Sequence, residues 1–120
     1  MPICQIKTNY KFSEEEKKNF CGTIAAQAAS IMKKPLPAVM VMLSDEFMYM
    51  NESDQTVVFA EFRYLMNFAD QEEKTAFLKE YADKMLDIFT RFTKADPHRI
   101  YMQFTEMTPE GAWKYNRQEK

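Results

Sequence analysis

Met1-Pro2-Ile3-Cys4-Gln5-Ile6-Lys7 opens the chain with a proline behind the initiator methionine and a β-prone run behind the proline. The run predicts a first strand over Ile3–Thr8, with Asn9-Tyr10-Lys11 as its exit. Methionine ahead of a residue as small as proline is open to removal by an aminopeptidase. The first strand would then begin with a free secondary amine. Met-Pro starts are common, so the pair alone specifies nothing. Its meaning depends on what the remaining chain places around it.

Outward from that strand, Ser13-Glu14-Glu15-Glu16 has the form of a capping box, with acids at the positive end of a helix. Phe20, Ile24, Ala28 and Ile31 recur at helical spacing and predict a helix to about Met32. Lys33-Lys34 falls in its last turn and Pro35 stops it. Ala38–Leu43 is apolar at every position, as in a strand buried on both faces. Asp45–Asp54 is a connector with a short strand expected around Phe47–Met50 and a turn at Asn51-Glu52-Ser53-Asp54. Val57–Leu65 predicts a third strand. Asp70-Gln71-Glu72-Glu73 caps a second helix with a stripe of Phe77, Tyr81, Met85, Ile88 and Phe92. Ile100–Thr105 predicts a fourth strand, Thr108–Gly111 a turn, and residues 114–120 a polar tail.

The order is strand–helix–strand, twice, with pseudo-repeats over 1–54 and 55–108. A four-stranded mixed sheet with two helices on one face follows, parallel within each unit and linked by right-handed crossovers. Two helices cover one face only. The apolar second strand implies that the other face meets a second copy of the chain, or else the 45–54 connector or the tail.

The totals agree with one α/β domain over residues 1–120. Hydrophobic residues make up 46% and charged residues 28%, and the net charge is −2. Acids and bases alternate, so no basic surface points to nucleic acid. No apolar run reaches the ~20 residues that span a bilayer, and no signal-peptide pattern is present. Cys4 and Cys21 lack zinc or redox spacing, which makes a reducing cytoplasm the expected location. His98 is the only histidine and stands in a loop, so neither a metal site nor a catalytic triad is expected.

Taken together, Met1-Pro2 entering a strand, Lys34-Pro35 before Val39-Met40-Val41, Asp96-Pro97-His98-Arg99-Ile100-Tyr101 and a late Trp113 resemble the macrophage migration inhibitory factor family of the tautomerase superfamily. The resemblance covers nearly the whole chain. It implies a trimer and a cofactor-independent keto–enol tautomerase, an isomerase acting on phenylpyruvate-like 2-keto acids or D-dopachrome-type compounds. It equally allows a cytokine-like, receptor-binding module with vestigial catalysis, secreted without a signal peptide. A tautomerase of another branch with a different acid substrate is a third reading. The sequence departs from the family pattern in several places. Asn51-Glu52-Ser53 replaces Gly-Gly-Ser, Met66 replaces the glycine after the third strand, Ala38 replaces an aromatic, and Gln103 replaces an asparagine. Val57 and Ala60 stand where some members have Cys-x-x-Cys.

The resemblance assigns Pro2 as general base. An α-amine titrates near ~8, and an apolar pocket lowers that by disfavouring the ammonium form. Ile3, Ala38, Tyr101, Met102 and Trp113 are the expected walls. Lys34, with Lys33 as competitor, would stabilise an enolate or hold a carboxylate. The Leu65 N–H would bind the substrate carboxylate. Tyr101 and Gln103 would reach the pocket of a neighbouring subunit, and Trp113 would wall it. Glu61 and Arg63 share a strand face, where they line a solvated channel or pair with each other.

Overall fold

A computed structural model describes residues 1–115. Its elements, in order, are β1 (Ile3–Thr8), α1 (Glu14–Met32), β2 (Met40–Asp45), β3 (Val58–Tyr64), α2 (Gln71–Thr93) and β4 (Ile100–Glu106). Short 3₁₀ turns at Leu36–Ala38 and Pro97–Arg99 lead into β2 and β4. The sheet order is β2-β1-β3-β4. β1 pairs parallel to β2, and β3 pairs parallel to β4. The two strand–helix–strand halves meet at an antiparallel seam, where Ile3 faces Arg63 and Thr8 faces Val58.

The helices form where the sequence supports them. Ser13 Oγ accepts from the Glu16 N–H at 3.1 Å and Glu16 Oε1 accepts from the Ser13 N–H at 3.0 Å, which completes the capping box. Such a cap stabilises a helix by about 1 kcal/mol. At α2, Asp70 Oδ1 accepts from the Glu73 N–H, while Glu73 reaches back to the Ala69 N–H. Both helices end on a left-handed lysine, Lys33 with φ 55° and Lys94 with φ 61°. The scarcity of glycine therefore does not remove left-handed caps.

Strand pleating divides the sheet into two faces. Cys4, Ile6, Val58, Ala60, Phe62 and Tyr64 point to the helices and are buried. Phe62 lies at the centre, with its ring 4.9 Å from Tyr81, 5.2 Å from Phe104 and 6.4 Å from Phe89. Phe89 in turn meets Phe20 of α1 at 6.0 Å. The opposite face carries Gln5, Met40, Met42, Phe59, Glu61, Arg63, Tyr101, Gln103 and Thr105. There Arg63 donates to Glu61 at 3.0 Å and to Gln5 at 3.2 Å, and Thr105 donates to Glu61 at 3.1 Å. Of the two readings of Glu61 and Arg63, direct pairing is the one seen.

Several expectations are corrected. β2 starts at Met40, because Pro35 and Pro37 frame a 3₁₀ turn that takes up Ala38. It is an edge strand and is not buried on both sides. Val41 and Leu43 pack on the core, whereas Met40 and Met42 are 55% and 38% exposed. Val57 and Leu65 flank β3 and are not part of it. The Phe47–Met50 strand reduces to one bridge between Met50 and Ser53, with Asn51 and Glu52 left-handed between them. Lys33 and Lys34 lie just past the last turn of α1, because the chain reverses at Lys33. Met102 packs against the core, since alternation turns it away from Tyr101. Residues 116–120 of the expected tail lie outside the described residues.

Arg99 was not singled out by the sequence, yet it organises the 46–57 connector. It is buried, and its guanidinium donates to the carbonyls of Met50, Ser53, Gln55 and Thr56 at 2.8–3.2 Å. Asn9 holds the same segment from the other side, through the Asp54 carbonyl at 2.9 Å and the Val57 N–H at 2.8 Å. A lysine keeps the charge but not the planar fork. Arg99→Lys is expected to lower stability by about 2 kcal/mol, from carbonyls left unpaired. Urea unfolding checks this, and a loss below about 0.5 kcal/mol, the range of ordinary surface substitutions, would contradict it.

Candidate functional site

The antiparallel seam determines what shares an edge with Pro2. Because β3 runs against β1, the end of β3 lies beside the start of β1, and the end of β4 follows it. The start of β2 completes this edge through Ile3 and Met40. The edge therefore collects Pro2, the approach from α1 to β2, Leu65, and the segment that follows β4.

Each piece is held by backbone contacts. The Met40 N–H donates to the Pro2 carbonyl at 3.0 Å, and the Pro2 side chain is fully buried. The Lys34 N–H reaches back to the Ala29 carbonyl at 3.0 Å, as in a Schellman helix end. That bond fixes where the half-buried Lys34 side chain departs. The Met107 N–H donates to the Tyr64 carbonyl at 2.7 Å and ties the end of β4 to β3. The next residue along β3, Leu65, has an N–H with no acceptor among the described residues. Ala112 is buried, and Trp113 beside it is 74% exposed.

The α-amine of Met1 sits in the field of this edge. Its pKa is lowered from 8.0, first by burial, then by the positive charges of Lys34 and Lys114. Both causes disfavour the ammonium form. Lys34 is thus the lysine near the chain start. Lys33 is exposed and lines a different groove, with Met32, Met66, Phe68 and Phe77. Lys114 is a further cation that the sequence reading passed over. Its only signal there was its place directly after Trp113.

Not every expected residue gathers at this edge. Tyr101 lies opposite Phe59, level with Lys7, about 16 Å along the strands from Pro2 at ~3.3 Å per residue. Gln103 lies level with Gln5, about 10 Å along by the same rise. Both are exposed on the open face, and within one chain neither approaches Pro2. Trp113 is not a core residue in the single chain. The best-formed concavities of that chain lie elsewhere, between β1, β2 and α1 and along the outer surfaces. With Met1 attached, moreover, the Pro2 nitrogen is a tertiary amide. One chain therefore holds a base precursor, a cation and an open amide at one edge without enclosing them.

Other nucleophiles are less suited. Cys4 is buried, and burial pushes its thiol up to about 11 despite a contact with the Tyr81 hydroxyl. Asp96, next to His98, is held below the usual carboxylate range by hydrogen bonds from the His98 backbone and ring. Among the described residues, no three His, Cys, Asp or Glu side chains come together as metal ligands.

Comparison with known proteins adds a sequence match and a set of structural ones. The family profile described as macrophage migration inhibitory factor (MIF) matches residues 1–114. A migration inhibitory factor-like protein from Entamoeba histolytica superposes with a TM-score of 0.80 at 17% identity, covering 95% of this chain and 94% of that one. The factor from Toxoplasma gondii gives 0.78 at 20% identity, over 96% and 97%. Pt0534, solved after inactivation by 2-oxo-3-pentynoate, gives 0.78 at 13% identity, over 94% and 91%. A comparison with curated protein sequences finds no significant match.

The field at the chain start is directly measurable. In the chain that keeps Met1, N-terminal acylation followed by mass spectrometry is expected to titrate below 8.0. Removing the Lys34 charge relieves repulsion of the ammonium, so Lys34→Ala moves the midpoint upward. An unmoved midpoint would place Lys34 away from the amine.

Proposed function

The chain belongs to the macrophage migration inhibitory factor family, and on that premise we propose that it is a cofactor-independent keto–enol tautomerase acting on phenylpyruvate-like 2-keto acids. The observation that carries this reading is the shared sheet edge of Pro2, Lys34 and the Leu65 N–H, which has no acceptor among the described residues.

After removal of Met1, Pro2 presents a secondary amine at the end of β1. Burial and Lys34 act to keep it neutral near physiological pH, where a general base is most effective. The substrate carboxylate takes the Leu65 N–H. The amine removes a proton from the carbon beside the keto group, and the electron pair moves to the carbonyl oxygen. Lys34 stabilises the charge that develops there. The same amine then returns its proton to that oxygen, giving the enol, and the reverse sequence gives the ketone. No redox step is involved. The structural likeness to Pt0534, which a 2-keto acid inactivates, supports this substrate class.

A single chain leaves this edge open, so the proposed enzyme is a homotrimer. A neighbour's open face brings Tyr101 and Gln103 over the site, and Trp113 then becomes a wall. The exposure of Tyr101, at 61%, supports burial against a second copy. Receptor binding by the same fold is the alternative, and catalysis separates the two.

Intact mass of the purified protein is expected to show loss of Met1. Pro2→Gly, which keeps an amine but loses the ring, is expected to lower kcat/KM on phenylpyruvate enol about 10²-fold, the lower end of general-base contributions. A full rate in Pro2→Gly would remove Pro2 as the base and favour the binding module. Sedimentation at micromolar concentration is expected to give three chains, whereas a monomer would remove Tyr101 and Gln103 from the site.

A further inference from the structure

The peptide that joins Tyr64 to Leu65 is held on one side. Its carbonyl accepts from the N–H of Met107, the residue just past the end of β4, at 2.7 Å. A trans peptide is planar, so its carbonyl and its N–H point in opposite directions. No cis peptide bond occurs among the described residues. β3 lies between β1 and β4 in the sheet. With the Tyr64 carbonyl aimed at β4, the Leu65 N–H is therefore aimed at the β1 side. There Ile3 faces Arg63, and the same register continued one step sets Pro2 level with Tyr64. Leu65 finds no acceptor among the described residues, so the direction of its N–H is set from the far side of the peptide plane, by Met107.

β4 is an edge strand, with only β3 beside it. The end of such a strand frays unless something else holds it. Here α2 holds it. The Lys74 ammonium meets the Glu106 carboxylate at 3.0 Å, across 32 residues of sequence. Glu106 is the last residue of β4, level with Tyr64, and it immediately precedes Met107. Strand alternation puts its side chain on the same face as Phe104, toward the helices. Lys74 stands in the first turns of α2, whose start is fixed by the Asp70 cap. Both side chains of the pair are half-buried, so water screens it less than the exposed Lys11–Asp45 pair. The geometry points to Lys74 as a positioning residue: through Glu106 and Met107 it keeps the Leu65 N–H aimed at the substrate carboxylate. This rests on the tautomerase reading of the same edge. The proton transfers at Pro2 are unchanged, because Lys74 acts through the peptide plane.

The mature protein is assayed with the enols of phenylpyruvate and of its methyl ester, since only the acid offers a full carboxylate charge to the Leu65 N–H. Lys74→Met keeps the reach of the side chain and loses its charge. It is expected to lower the ratio of kcat/KM for acid over ester about threefold, through KM for the acid, the scale of a half-exposed ion pair. Reversing the pair, Lys74→Glu with Glu106→Lys, is expected to restore most of the ratio. An unmoved ratio, an equal fall on both substrates, or a reversed pair that stays low overturns the inference and leaves the tautomerase reading intact. If the wild type turns over neither enol, the tautomerase reading fails, and amide NMR with phenylacetate decides the positioning role. A Leu65 amide shift in the wild type, with a midpoint about threefold higher in Lys74→Met, upholds it. No Leu65 shift in the wild type, or an unmoved midpoint in Lys74→Met, overturns it.

Discussion

The antiparallel pairing of β1 with β3 is the constraint on which the rest of the structure depends. It is the one place where the two strand–helix–strand halves meet within the sheet. Had the halves met in parallel, the end of β3 would lie beside the end of β1, far from Pro2. Running them against each other brings one strand's start to another's end. Leu65 then lies next to Pro2, and the segment beyond β4 arrives at the same edge. Phe62 supports this seam from below, since its ring packs on Phe104 of β4 and on Tyr81 and Phe89 of α2. Phe62→Ala in such a position removes about 3–5 kcal/mol of packing.

The same seam explains why the two faces of the sheet differ. The helix face is aromatic and closed. The open face combines a polar network around Glu61 and Arg63 with exposed methionines on the β2 edge and an exposed Tyr101 on β4. A polar centre with apolar margins suits a surface that remains wet in the middle and is joined at its edges. In the proposed trimer this surface joins the copies and completes the site at the Pro2 edge.

Much of this was legible in the sequence because it rests on local chemistry. Ser13 and Asp70 announce their helices through capping groups, and the stripes from Phe20 and Phe77 give each helix a buried side. Alternation in β1 and β3 gives the two faces. What the sequence did not disclose depends on non-local geometry. Ala38–Leu43 reads as a buried strand, yet an edge position exposes Met40 and Met42. Arg99 resembles any loop arginine until the connector folds back to offer four carbonyls. For the site, Pro2, Lys34 and Leu65 were indicated by resemblance and share an edge, while Tyr101 and Gln103 were indicated equally and lie elsewhere in the chain. The difference is that the first three are gathered by the chain's own fold, whereas the last two lie on the open face and reach the site only in the proposed trimer.

In the proposed enzyme a free Pro2 nitrogen is the reactive group of this edge. An acetylenic 2-keto acid such as 2-oxo-3-pentynoate tests it directly, because a neutral amine adds to the activated triple bond and keeps the whole reagent. Mass spectrometry of peptides from the treated mature protein locates the adduct. One adduct per chain is expected on the Pro2 nitrogen, and none on that nitrogen when Met1 is retained as an amide partner. An adduct on Cys21 or a lysine with Pro2 unmodified, or equal labelling of that nitrogen with Met1 in place, would contradict the proposal.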